Sequence, residues 1–199
     1  RSDFSKLSSL SAGGRSTATT VLALSALQTM RQEQYLDDKA RKLLSFTDNR
    51  QDASLQAGHT NDFVEVGLLR AAIYRAVADA GEEGLEHDLL PQRVFKALNL
   101  PFHLYASDPS VKFGRDEFDR ALREVLAYRV YHDLRRGWRV AAPNLEQSGL
   151  LVIDYKYLSD ICTADEEWTD THAALASASP QTREAISRVL LDYLRRELA

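Results

Sequence analysis

The chain has 199 residues, of which 44% are hydrophobic and 27% are charged. That balance gives one domain, or two small ones, with a buried core and a solvated surface, and it excludes general disorder. The formal net charge of -4 lacks the basic excess of a free-standing nucleic-acid binder, so any contact with nucleic acid has to be local. The one cysteine, Cys162, excludes an internal disulfide and fits a reducing, cytoplasmic setting. No histidine pairs with a cysteine or carboxylate at a metal-ligand spacing. No apolar run approaches the roughly 20 residues of a membrane span, and no signal-peptide pattern opens the chain. The sequence begins on Arg1 and the last helical pattern runs to Ala199 without a stop signal, so it reads as a soluble piece of a longer protein.

Residues 1–15 are rich in Ser and Gly and read as a flexible lead-in. A helix fits 16–32, capped by Ser16 or Thr17, with Val21, Leu24, Leu27 and Met30 at helical spacing. Leu43, Leu44 and Phe46 form a short apolar run over 42–47, closed by turn formers, which predicts a strand. A short helix follows over 53–57, ended by Gly58. The next helix covers 61–80, with Phe63, Val66, Leu68 or Leu69, Ile73 and Val77 inward.

A shorter helix spans 89–98, with Pro91 tolerated in its first turn. Residues 101–114 read as a loop, and a long helix spans 115–136, with Phe118, Leu122, Val125, Leu126, Arg129 and Leu134 on its faces. The β-type runs 138–142 and 150–155 read as a hairpin, and 157–162 as one or two helical turns. The last helix starts at Ser179-Pro180 and carries Ile186, Val189, Leu190, Tyr193 and Leu194 inward.

The strand–turn–helix reading of 42–57 is where chemistry concentrates. A strand that ends in a turn before a helix offers free N–H groups and polar side chains to an anion such as a phosphate. Here the turn supplies Thr47, Asn49, Arg50 and Gln51. The competing reading makes Asp48 and Asn49 turn formers and Arg50 a surface charge.

The run Leu43-Leu44-Ser45-Phe46-Thr47-Asp48-Asn49-Arg50-Gln51-Asp52-Ala53 resembles the motif IV region of superfamily 2 helicases. It is most similar to large bacterial DEAD/DEAH-box helicases that read Phe-Ser-Asp-Ser-Arg-Gln-Asp-Ala at this place. Residues 61–64 and 137–147 also resemble that group, with weaker echoes over 14–27.

The resemblance implies a segment of the second RecA-like domain of an ATP-dependent helicase or translocase. It puts Thr47, Asn49 and Arg50 against the phosphates of a DNA or RNA strand, with Asp48, Gln51 and Asp52 supporting the turn. The sequence contains neither a Gly-x-x-x-x-Gly-Lys-Ser/Thr phosphate loop nor an Asp-Glu-x-His box. Such a segment holds no cofactor of its own; ATP and magnesium belong to the parent protein, whose remaining chain is the other implied partner.

The expected fold is therefore mainly α with a small β component: a RecA-like strand–turn–helix, a helical insertion and a β-hairpin. Residues 1–81 open the second RecA-like domain, and 82–199 form the insertion, with the hairpin near 138–155. The alternative is a helical protein-interaction module without nucleic-acid binding. Three weaker candidates are also legible. Arg129, Arg135, Arg136 and Arg139, interleaved with Tyr128, Tyr131 and Trp138, form a possible stacking platform, or a solvated helix end. Asp165, Glu166 and Glu167 are three sequential carboxylates, which rarely converge on a metal. Gln92, Arg93 and Lys96 are what a helix-turn-helix reader would offer to bases.

Overall fold

A computed structural model describes residues 3–46, 50–110, 114–136 and 143–197. Among these residues the α-helices are α1 (Asp3–Gln32), α2 (Arg50–Ala78), α3 (Leu90–Leu98), α4 (Arg115–Arg136), α5 (Leu158–Thr163), α6 (Ala173–Ala176) and α7 (Pro180–Glu197). Short 3-10 turns cover Gly81–Glu83, Phe102–Leu104 and Asp165–Trp168.

The core lies where α2, α3 and α4 meet. Leu69, Ile73 and Ala76 repeat along one face of α2, Leu90 and Val94 along α3, and Leu126, Val130 and Leu134 along α4. Ile73, Val94 and Val130 are fully buried at its centre. Leu69 is the inward residue and its neighbour Leu68 is exposed, which fixes the rotation of α2. Helix α3 ends on Asn99, which adopts the left-handed conformation at φ 44° and donates its N–H to the Phe95 carbonyl. Arg70 and the buried Asp133 tie α2 to α4 through two-point hydrogen bonding, with the shortest contact at 2.8 Å.

The small β component is not formed: the described residues contain no strand. Residues 42–46 have no regular structure and are all exposed, Phe46 to 88%. An isolated apolar run cannot be a strand without a neighbour to bond its N–H and C=O groups. The RecA-like strand–turn–helix is thereby overturned, and residue 47, its last strand position, lies outside the described residues.

The expected hairpin near 138–155 also fails. Its first arm, 138–142, lies outside the described residues, and among the described residues 150–155 is not a strand and has no strand partner. The alternation that suggested a strand is nonetheless present in the burial. Leu151 and Ile153 pack against the helical core, while Leu150 and Val152 face solvent. A segment laid across helices can alternate in the same way as a strand laid on a sheet.

Gly58 does not end a helix. Helix α2 runs through it, and the expected short helix 53–57 and the helix 61–80 are one element. A glycine inside a helix costs about 1 kcal/mol relative to alanine, which the packing of α2 on α1 offsets. Helix α1 likewise extends the helix expected from residue 16 back to Asp3.

Candidate nucleic-acid interface

Arg50 is the first residue of α2 and is exposed, as are Gln51 and Asp52 in the same turn. Thr47, Asp48 and Asn49 lie outside the described residues. The part of the reading that remains is a cation at a helix N-terminus, with the exposed, irregular segment 42–46 before it in sequence. Ser45 in that segment lines a shallow depression with Ala53, Gln56, Ala57, Thr60 and Asn61 of α2.

The first half of α2 is held by a polar seam with α1. Thr20 Oγ1 is fully buried and meets His59 Nδ1 at 3.1 Å and Thr60 Oγ1 at 3.2 Å. Gln56 donates to Thr20 Oγ1 at 3.0 Å and to the Ser16 carbonyl at 3.2 Å, and Thr17 Oγ1 lies 3.3 Å from His59 Nε2. Buried hydroxyls and amides need partners, and these residues supply them to one another. The helical spacing of Thr17, Thr20, Gln56, His59 and Thr60 was the signal in the sequence, hidden because polar residues read as surface.

The described arginines of the platform, Arg129 and Arg135, and its Tyr131 have partners elsewhere in the fold. Arg129 pairs with Glu65 at 2.8 Å. Arg135 donates to the carbonyls of Arg196 and Glu197, each at 3.1 Å, complementing the C-terminal end of α7 rather than of its own helix. Tyr131 donates to the His87 carbonyl at 2.9 Å. Trp138 and Arg139 lie outside the described residues, as does the side chain of Arg136. Asp165 is bonded to Arg183 at 2.7 Å, and no group of three His, Cys, Asp or Glu side chains among the described residues could hold a metal ion. Gln92, Arg93 and Lys96 are exposed on α3.

Two features escaped the sequence reading. An apolar groove runs between the helices, lined by Val66, Leu69, Leu98, Leu122, Val125 and Leu126. The other feature is α7, whose five apolar residues expected inward are between 39% and 68% exposed. Part of its polar face turns inward instead: Arg195 bonds Glu146 and Asp192 accepts from Tyr155 at 2.7 Å, while Arg188 bonds Asp154 at the surface. Burial works against the charge on Asp192, but hydrogen bonds from Tyr155 and Arg195 outweigh it and hold the carboxyl below its ordinary value.

Comparison with family models, with curated proteins and with solved structures finds no match. Among the described residues no helix is long and apolar enough to cross a membrane.

Proposed function

We propose that the chain is a non-catalytic helical segment of an ATP-dependent nucleic-acid helicase or translocase, and that it contributes to holding a DNA or RNA strand. The reading rests on the sequence of 43–53, with Arg50 exposed at the start of α2. There a guanidinium can meet a backbone phosphate together with N–H groups of the helix's first turn. Thr47 and Asn49 are the other proposed strand contacts, with Asp48, Gln51 and Asp52 bracing the turn. ATP and magnesium would be held by other parts of the parent motor, in a cytoplasmic setting that the one buried cysteine fits.

One observation favours the second reading, a protein-interaction module without nucleic-acid binding. Large hydrophobic side chains are exposed on several described helices, among them Leu68 and Tyr74 on α2, Val125 and Tyr128 on α4, and Val189 and Leu190 on α7. Apolar surface of that kind is ordinarily covered by protein.

Fluorescence anisotropy with labelled single-stranded DNA and RNA separates the two. Strand binding predicts an affinity that falls as salt rises. The interaction module predicts none at any salt. Both predict no ATP turnover, because the phosphate loop and the Asp-Glu-x-His box are missing from the sequence. ATP hydrolysis that co-purifies with the chain and persists on repurification would contradict both.

A further inference from the structure

We propose that α7 is the interface of a homodimer, pairing antiparallel with α7 of a second copy about a two-fold axis near Leu190. The proposal goes beyond the nucleic-acid reading and does not depend on it.

Ile186, Val189, Leu190, Tyr193 and Leu194 follow the spacing i, i+3, i+4, i+7, i+8, which places them on one stripe of a helix. In a helix lying on its own core that stripe would face inward. In α7 it faces solvent, because Asp192 and Arg195 occupy the inward side with their hydrogen bonds to Tyr155 and Glu146. The two charged residues between Ile186 and Leu194, Arg188 and Asp192, both lie off the stripe. The stripe is therefore a charge-free seam that can lie on another without burying an ion.

Charge decides the direction of the pair, and size the strength of its interface. Glu197 continues the stripe at its C-terminal end and is exposed. A parallel pair would set this carboxylate beside its partner copy and align the helix dipoles. An antiparallel pair sets it at the N-terminal end of the partner's α7, where a negative charge is favoured. A two-fold axis at Leu190 then opposes the two Leu190 side chains and sets Ile186 against the partner's Leu194. The exposed part of the five residues covers at most roughly 500 Å² per copy, so a pair buries up to about 1,000 Å², the lower limit for a specific and weak interface.

Sedimentation equilibrium on the chain tests this. The expected result is a reversible dimer with a dissociation constant in the micromolar range. Leu190→Asp should weaken it by about 100-fold or more, because the seam would have to bury a carboxylate, with the helical circular dichroism unchanged. Cysteine cross-linking reads the direction. Leu190→Cys should form a disulfide-linked dimer under mild oxidation. Glu197→Cys should not, because the two sulfurs would stand about 20 Å apart. Native Cys162 is buried and stays out of the reaction. A monomer at every concentration, a dimer that survives Leu190→Asp, or cross-linking through Glu197→Cys overturns the proposal.

Discussion

Replacing Arg183 with alanine is expected to lower the unfolding free energy by about 3 kcal/mol or more. Arg183 is 2% exposed, and its guanidinium gathers the short elements of the C-terminal region around α7. Nε donates to the Leu175 carbonyl at 2.9 Å, Nη2 to the Ala176 carbonyl at 2.6 Å, and Nη1 to the Cys162 carbonyl at 3.3 Å. The same guanidinium lies 5.4 Å from the centre of the Trp168 ring. These carbonyls close the ends of α5 and α6, helices too short to hold themselves. Alanine would leave them without their donors and leave a void beside Trp168.

The ion pair with Asp165 is the smaller part, since that carboxylate is 82% exposed and screened by water. Asp165→Asn should therefore cost under about 1 kcal/mol. Arg183→Lys should fall between the two, because an ammonium cannot reach three carbonyls in the guanidinium plane. Urea titrations of the three variants check the order. A loss for Asp165→Asn equal to that for Arg183→Ala would place the energy in the ion pair and contradict this account.

Ile73→Ala is expected to cost about 3 kcal/mol and to lower the Tm by roughly 6–12 °C. Ile73 is fully buried, in the core cluster with Leu69, Ala76, Val94 and Val130, where the three helices converge. Removing three of its carbons leaves a cavity that rigid helices fill only in part. Leu68→Ala, on the exposed side of the same helix, should cost under about 1 kcal/mol. Thermal unfolding of both variants checks the rotation of α2. Equal shifts would mean that Leu68 faces the core as well.

The sequence carried the helices well where apolar spacing and caps agreed. Helices α3, α4, α5 and α7 begin and end within a residue or two of their expected limits, because Pro91, Asn99 and the Ser179-Pro180 cap act locally. It failed where a pattern had two physical causes. Alternation over 150–155 comes from a segment lying on helices, and the apolar run over 42–46 has no neighbour to pair with. The orientation of α7 was read backwards for the same reason. An apolar stripe says that a surface is to be covered, not that the chain itself covers it. The seam of Thr20, His59 and Gln56 was invisible because satisfied polar groups leave no hydrophobic signature. Of the candidate site, Arg50 was legible as an exposed charge, but its expected position at the end of a strand was not.

Strand binding through Arg50 is tested most directly by one salt titration of the chain and its Arg50→Ala variant against the same labelled single strands. A charge-assisted contact to a backbone phosphate contributes about 1.5–3 kcal/mol. The variant should therefore bind more weakly by roughly 10- to 100-fold at low salt, by a similar factor for each sequence tested. Its salt slope should fall by about one ion. Equal affinities and equal slopes for the two proteins, or no binding by the unmodified chain at any salt, would contradict the account.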